Sequence, residues 1–208
     1  MSAARSEILG RITAATRGSA SPAAVVREYR RTGTLDTESR IALFCERAGE
    51  YRADVRRVDD VAAAIATACR ARGAHRLAIP AGLPTSWRPR ELELVEDTAL
   101  TPHELDSLDG VVTGCTLAIA ETGTMVLTAA TAEGRRALTL VPDLHVCVVE
   151  ETQVVELIPE AFAALAADAW RPITFVSGPS ATSDIELSRV EGVHGPRDLV
   201  ILVQRTRR

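Results

Sequence analysis

The stretch that decides the fold lies in the middle of the chain and reads GVVTGCTLAIAETGTMVLTAAT over residues 110–131. Residues 111–120 are too continuously apolar for a strand with one face in water, which indicates a buried, central strand. The polar run Glu121–Thr124 interrupts this strand, and an apolar run then resumes it. Because glycine tolerates the backbone angles of tight connections, a turn or bulge at Gly123 is predicted to join the two strands.

Outward from this stretch, strand-like and helix-like segments alternate from about residue 52 onward. Such alternation favours an α/β fold with a largely parallel sheet that helices cover on both faces. The first fifty residues are instead amphipathic and helical, so the predicted organisation is a helical arm over residues 1–50 and an α/β domain over residues 51–208. Further strands are predicted at residues 53–58, 76–80, 92–95, 138–141, 145–149, 173–176 and 199–203, and further helices at 59–73, 101–108 and 159–170.

Composition and charge exclude several classes of protein. The 208 residues include 24 lysine or arginine and 28 acidic positions, with a net charge of −4. This acidic balance argues against nonspecific nucleic-acid binding. All 24 are arginine, which excludes Schiff-base chemistry through a lysine amine. No apolar run reaches the roughly 18 residues that could span a bilayer, and the N-terminal residues lack the pattern of a secretory signal, so a cytoplasmic protein is expected.

The cysteines and histidines do not have the spacing of a metal site. The four cysteines occur singly, with no C-x-x-C motif, at Cys45, Cys69, Cys115 and Cys147. Most of them lie in helical or apolar strand-like segments, so we expect buried free thiols rather than ligands of a metal or an iron–sulfur cluster. No H-x-x-x-H or H-E-x-x-H motif is present. The sequence therefore predicts no bound metal or cofactor in this chain.

The first candidate site is the interruption within the apolar stretch. A carboxylate between two buried strands is costly to desolvate unless it is hydrogen-bonded, which makes Glu121 a candidate catalytic acid. The alternative is a turn residue whose side chain reaches water. The next three residues, Thr122, Gly123 and Thr124, are of types common in hairpin turns, and their hydroxyl and N–H groups could also bind an anion.

The second candidate site is the segment SGPSATSDIE, residues 177–186, which directly follows an apolar strand. Hydroxyls and backbone N–H groups at the start of a helix bind anions, and the candidate contacts here are Ser180, Thr182 and Asp184. A helix is predicted to begin in this segment. The alternative function of these side chains is simple capping of that helix.

The third candidate site is the turn before the last strand, GVHGPR at residues 192–197. Glycine on both sides of His194 permits close approach of the backbone to a ligand, so His194 and Gly195 are predicted to contact the anion. Arg197 adds a planar fork that suits a carboxylate or a phosphate. Ligands of open α/β sheets bind outside the carboxyl ends of strands, and the second segment lies at such an end. We expect the three polar loops to converge at one rim of the sheet and form one anion pocket.

Three ordered motifs carry a resemblance to a known family. The segments GCTLAIAETGTMVL (114–127), SGPSATSDIE (177–186) and EGVHGPRDLVILV (191–203) make the chain resemble the lactate-utilization members of the LUD-domain family. The resemblance implies a three-layer α/β/α fold like that of sugar-phosphate isomerases and CoA transferases. It also implies a bacterial protein that acts in the oxidation of L-lactate to pyruvate together with two iron–sulfur partner subunits, which carry the clusters that this chain lacks.

Two functions of different classes follow from the resemblance and the candidate sites. In the first, the chain is a non-redox subunit of a lactate-oxidising complex. In the second, it is an α/β enzyme or binding protein in its own right, and it holds a small carboxylate, a phosphate or a CoA ester near Glu121 and the two later polar loops.

Overall fold

The computed structural model describes residues 3–17, 28–168, 170–183, 189–191 and 195–206. The main layer is a parallel sheet of six strands in the order β1-β12-β7-β4-β2-β3. Its strands are β1 (Asp54–Val58), β2 (Arg76–Ile79), β3 (Glu93–Glu96), β4 (Gly110–Thr113), β7 (Leu144–Glu150) and β12 (Asp198–Gln204). The neighbouring strands β7 and β12 are the longest, and all of their residues except the polar ones at their ends, Glu150, Asp198 and Gln204, are buried.

A second, mixed sheet of four strands has the order β8-β5-β6-β9. Its strands are β5 (Leu117–Ile119), β6 (Thr124–Leu127), β8 (Val154–Val155) and β9 (Thr174–Val176). A separate antiparallel hairpin pairs β10 (Ala181–Ser183) with β11 (Arg189–Glu191). The sequence did not predict the second sheet as a separate layer.

The helices of the described residues are α1 (Ala3–Thr16), α2 (Thr37–Glu50), α3 (Val61–Arg70), α4 (Pro102–Asp106) and α5 (Ile158–Leu165). Helix α3 packs on one face of the six-stranded sheet, where Ile65 and Cys69 join the buried side chains of β7 and β12. Helix α2 and the second sheet cover the opposite face. The mainly parallel sheet with helices on its faces confirms the predicted α/β class. Among the described residues, no helix has the length and apolar character needed to cross a membrane.

Helix α2 differs from the expectation of an arm over residues 1–50. Its side chains Ile41, Phe44 and Ala48 repeat at helical spacing and are at most 1% exposed. They pack into the core between the two sheets. Helix α2 therefore belongs to the packed body, whereas α1 has no buried residue.

The apolar stretch 111–120 forms two strands of different sheets rather than one continuous strand. After β4 ends, the Gly114 N–H bonds to the Ala132 carbonyl and the Thr116 N–H bonds to the Val126 carbonyl. These bonds turn the chain from the first sheet into the second before β5 begins. The connection at Gly123 is confirmed as the turn of the β5–β6 hairpin.

Residues 138–141, predicted as a strand, are not one. A short 3₁₀ helix at Arg136–Thr139 occupies part of that segment, directly after the left-handed Gly134. Its apolar residue Leu138 is fully buried, so the apolar pattern indicated burial correctly but not the backbone conformation. This segment positions a wall of the cavity described next.

Candidate functional site

A half-open cavity of about 250 Å³ lies between the two sheets. Its polar wall is formed by Arg136, Thr139, His145 and Ser177, and its apolar wall includes Val176 and Leu199. Since Leu199 and His145 are paired neighbours at the starts of β12 and β7, the cavity lies over the amino ends of these strands. It lies at the carboxyl end of β9, which ends just before Ser177. No carboxylate is among the described residues that line it.

His145 is the buried polar group of the cavity floor. It is 2% exposed, and its Nε2 lies 2.8 Å from the Thr113 hydroxyl on the neighbouring strand. No hydrogen bond of the described residues engages its other ring nitrogen, Nδ1, and this nitrogen is not among their buried polar atoms without a partner, so it is open to the cavity. Because a neutral imidazole has one donor and one acceptor nitrogen, Nδ1 is available to a ligand in the cavity.

Two thiols continue this polar cluster below His145. Cys147 follows His145 on the same face of β7, and its Sγ lies 3.9 Å from the Thr113 hydroxyl and 3.5 Å from the Gly114 carbonyl. A hydrogen bond from the Cys115 thiol, aided by His145, lowers the pKa of Cys147, and the same contact raises the pKa of Cys115. Both thiols are buried, as the sequence predicted.

Arg136 provides the positive charge of the cavity. Its Nη1 donates to the Thr139 hydroxyl at 3.1 Å, and that hydroxyl donates back to the Arg136 carbonyl at 3.3 Å. No carboxylate of the described residues forms an ion pair with Arg136. Partial removal from water lowers the pKa of its guanidinium. An anionic ligand would supply the missing counter-charge.

A buried carboxylate holds the loop that leads to Arg136. Glu133 is 2% exposed, and it accepts hydrogen bonds from the Thr128 and Ala130 N–H groups at 2.6 and 2.9 Å and from the Thr116 hydroxyl at 2.6 Å. It lines a smaller cavity of about 40 Å³ that shares Arg136 and Thr139 with the first. The role of Glu133 is to fix the loop, because its oxygens are already engaged by these donors.

The first predicted loop does not line the cavity and contacts its wall only through the Thr124 hydroxyl. Glu121 remains 42% exposed and pairs with Arg30 at 2.8 Å, so it does not have the burial that suggested a functional acid. The hydroxyls of Thr122 and Thr124 share a hydrogen bond of 2.7 Å, and Thr124 shares another of 2.8 Å with Ser177 in the cavity wall. Gly123 lies against helix α2 instead of facing a ligand.

The second and third loops do meet at the cavity. Ser180 and Gly195 both line it, and the Ser180 N–H donates to the Pro196 carbonyl at 2.8 Å. Arg197 does not line it, since its exposed side chain lies 3.3 Å from Asp143.

In the described part of the second loop no helix begins, because residues 181–183 pair with β11 as a strand. Thr182 belongs to this strand, whereas Asp184 and His194 lie outside the described residues. The second loop follows the carboxyl end of β9, as the sequence indicated, but in the six-stranded sheet the cavity lies at the amino ends of β7 and β12.

Known proteins share this arrangement of sequence. A model of a family described as the LUD domain matches residues 91–203, just over half of the chain. The chain belongs to the LUD domain family. A lactate utilization protein C from Deinococcus radiodurans is 50% identical over 133 residues, which cover 62% of this chain and 63% of that protein. A lactate utilization protein C from Bacillus pumilus is 37% identical over 91 residues, or 41% of this chain and 38% of that protein.

The fold of this LUD domain is also shared by a solved structure. The crystal structure of a DUF162 family protein from Deinococcus radiodurans matches with a TM-score of 0.73 and 38% identity, and the match covers 83% of this chain and 100% of that one. The LUD domain chain spans less than two thirds of the length of the curated relatives that it matches. Among its described residues, no group of three or more His, Cys, Asp or Glu side chains is placed to hold a metal ion.

Sequence reasoning missed the two side chains that dominate the cavity of this LUD domain. Arg136 is one of 24 arginines and lies just before the predicted strand 138–141, so nothing in its sequence context distinguishes it. His145 lies in a predicted buried strand, and a histidine inside the apolar run LHVCVV is an unusual signal. That signal could have identified it.

Replacing Glu121 with glutamine tests the role of that residue in the LUD domain. We expect the free energy of unfolding to fall by less than about 1 kcal/mol, because exposed ion pairs such as that with Arg30 contribute little. Chemical denaturation measures this change, and ligand binding in the cavity should remain as in the parent protein. Loss of activity with stability retained would instead favour the catalytic role that the sequence suggested for Glu121.

Proposed function

We propose that this protein acts in lactate utilization, as a subunit of a cytoplasmic system that oxidises L-lactate to pyruvate. The observation that carries the proposal is the 50% identity to a lactate utilization protein C from Deinococcus radiodurans over 133 residues. A second relative of the same name from Bacillus pumilus supports it. In this proposal, iron–sulfur clusters reside on partner subunits, as the family resemblance implies, and this chain binds none itself.

The proposed part of this chain is to bind a small organic anion and present it to its partners. Support comes from the unpaired Arg136 guanidinium and the buried His145 ring in one cavity of about 250 Å³. Groups of this kind bind and orient a carboxylate, and the oxidation itself would take place with the cluster-bearing subunits.

Deletion of the gene in its host tests the pathway. We expect the deletion strain to lose growth on L-lactate as the sole carbon source and to keep growth on pyruvate, with growth on lactate restored by the intact gene. A tagged copy should co-purify with cysteine-rich partner proteins. Normal growth of the deletion strain on L-lactate would contradict the proposal, as would strong lactate oxidation by the isolated chain with an artificial electron acceptor.

A second candidate function, a binding protein or enzyme that acts alone, is favoured by the cavity itself. A ligand at about 100 times its Kd should raise the free energy of unfolding by about 2.7 kcal/mol. Thermal unfolding of the isolated chain with a carboxylate, inorganic phosphate or CoA measures this effect. Full stabilisation together with normal growth of the deletion strain on L-lactate would favour this second function over the first.

A further inference from the structure

We propose that the cavity between the two sheets binds a small monocarboxylate that carries an oxygen at C2 and an apolar side chain of about three carbons. The carboxylate lies on Arg136 and the C2 oxygen lies next to His145. The inference takes the cavity from the proposed function but goes beyond that function, because the ligand it names is larger than L-lactate. Its test is a binding measurement on the isolated chain and does not depend on the pathway.

The charge of the ligand follows from the charge of the wall. Arg136 is the one cation among the described residues that line the two cavities, apart from the titratable His145. The Glu133 carboxylate lines the smaller cavity, but it is engaged by N–H and hydroxyl donors and forms no ion pair with Arg136. A planar guanidinium binds a carboxylate through two parallel hydrogen bonds. Thr139 holds this guanidinium in place through its hydroxyl and is a positioning residue. A doubly charged phosphate would have a second negative charge with no cation to pair with, and that charge would lie against a wall that is partly apolar.

The C2 oxygen follows from the position of His145. Its Nε2 is held by the Thr113 hydroxyl at 2.8 Å, and its side chain is almost completely buried except toward the cavity. Because Nδ1 has no described partner, it can accept a hydrogen bond from a 2-hydroxyl or, in the other tautomer, donate one to a 2-oxo group. A ligand without this oxygen would cover Nδ1 and remove it from water without offering a hydrogen bond in exchange.

The apolar side chain follows from the size and composition of the cavity. An apolar cavity of about 150 Å³ accommodates benzene, so about 250 Å³ corresponds to a ligand of roughly ten non-hydrogen atoms. A three-carbon acid has about six and would leave part of this space unfilled. Val176 and Leu199 line the same cavity and would contact the additional carbons.

Calorimetric titration of the purified chain tests the proposal with four probes: 2-oxoisovalerate, pyruvate, isovalerate and inorganic phosphate. We expect 2-oxoisovalerate to bind most tightly. Pyruvate should bind about tenfold more weakly, because two carbons fewer are buried, and isovalerate about tenfold more weakly, because the C2 oxygen is missing. Phosphate should not compete. Tighter binding of phosphate than of 2-oxoisovalerate, or no binding of any probe, would overturn the proposal.

Three arginine variants locate the site. Arg136→Gln should weaken 2-oxoisovalerate binding at least tenfold, whereas Arg90→Gln, at an exposed arginine outside the cavity, is the matched control. Arg197→Gln distinguishes the cavity from the site that the sequence suggested: loss of binding in this variant with retention in Arg136→Gln would refute the proposal. Melting temperatures confirm that each variant is folded.

His145→Gln tests the recognition of the C2 oxygen. We expect this variant to bind 2-oxoisovalerate and isovalerate with nearly equal affinity, since the preference comes from the ring nitrogen. Undiminished preference would contradict the assignment, and if the variant does not fold, the ratio of the two affinities in the parent protein carries the test. If 2-oxoisovalerate binds as expected but the deletion strain still grows on L-lactate, only the proposed pathway is disproved. If 2-oxoisovalerate does not bind but the deletion strain loses growth on L-lactate, only this inference is disproved.

Discussion

Replacing Gly123 with alanine should lower the free energy of unfolding by about 3 kcal/mol or more. Gly123 has a φ of +60°, which penalises any residue with a Cβ atom. That atom would also lie 2.4 Å from the Ala48 nitrogen and 2.5 Å from the Arg47 carbonyl carbon. These are backbone atoms of helix α2, so the contact can be relieved only by moving the helix away from the core.

Gly73→Ala is the matched control for this prediction. Gly73 has a φ of +66°, but a Cβ atom there would have no neighbour within 4 Å. We therefore expect a cost of about 1 kcal/mol from the left-handed conformation alone. Urea denaturation of the two variants measures the difference. Equal costs would show that the packing of α2 on the turn at Gly123 is looser than described.

Replacing Glu133 with alanine should cost about 3 kcal/mol. The change removes the acceptor of the Thr128 and Ala130 N–H groups, and Thr128 is 2% exposed, so water cannot easily replace the carboxylate. It also frees the loop that leads to Arg136, so binding in the cavity should weaken as well. Chemical denaturation and ligand titration measure the two effects.

Glu133→Gln provides the control for that substitution. Glutamine has nearly the same shape and keeps one oxygen that accepts hydrogen bonds from the two N–H groups. We expect about half the loss of stability seen with alanine. If glutamine and alanine are equally costly, the charge of Glu133 rather than its hydrogen-bond geometry holds the loop.

Much of the main sheet could be predicted because its strands are buried on both faces. The runs that form β7 and β12 are continuously apolar, and each is bounded by polar or turn residues, so their existence and approximate limits follow from the sequence. The second sheet could not be predicted in the same way. The break between β4 and β5 depends on bonds from Gly114 and Thr116 to distant carbonyls, and an apolar pattern does not contain that information.

The sequence predicted the loop residues of the site but not the two side chains that dominate it. Ser180 and Gly195 were found because turn chemistry marks loops at strand ends, and loops are where ligands bind. Arg136 and His145 were missed because their importance depends on what surrounds them: an arginine without a carboxylate partner, and a histidine facing a cavity. Arg197, which had the more suggestive sequence context, instead pairs with Asp143 on the surface.

The central claim is that the functional site lies between the two sheets, at the amino ends of β7 and β12. The most direct measurement is a titration of the ¹⁵N-labelled protein with 2-oxoisovalerate, followed through its backbone amide resonances. We expect the largest shifts at residues of the cavity wall, namely Thr139, His145, Ser177 and Gly178. Largest shifts at Thr122 and Gly123, or around Asp143 and Arg197, would contradict the account.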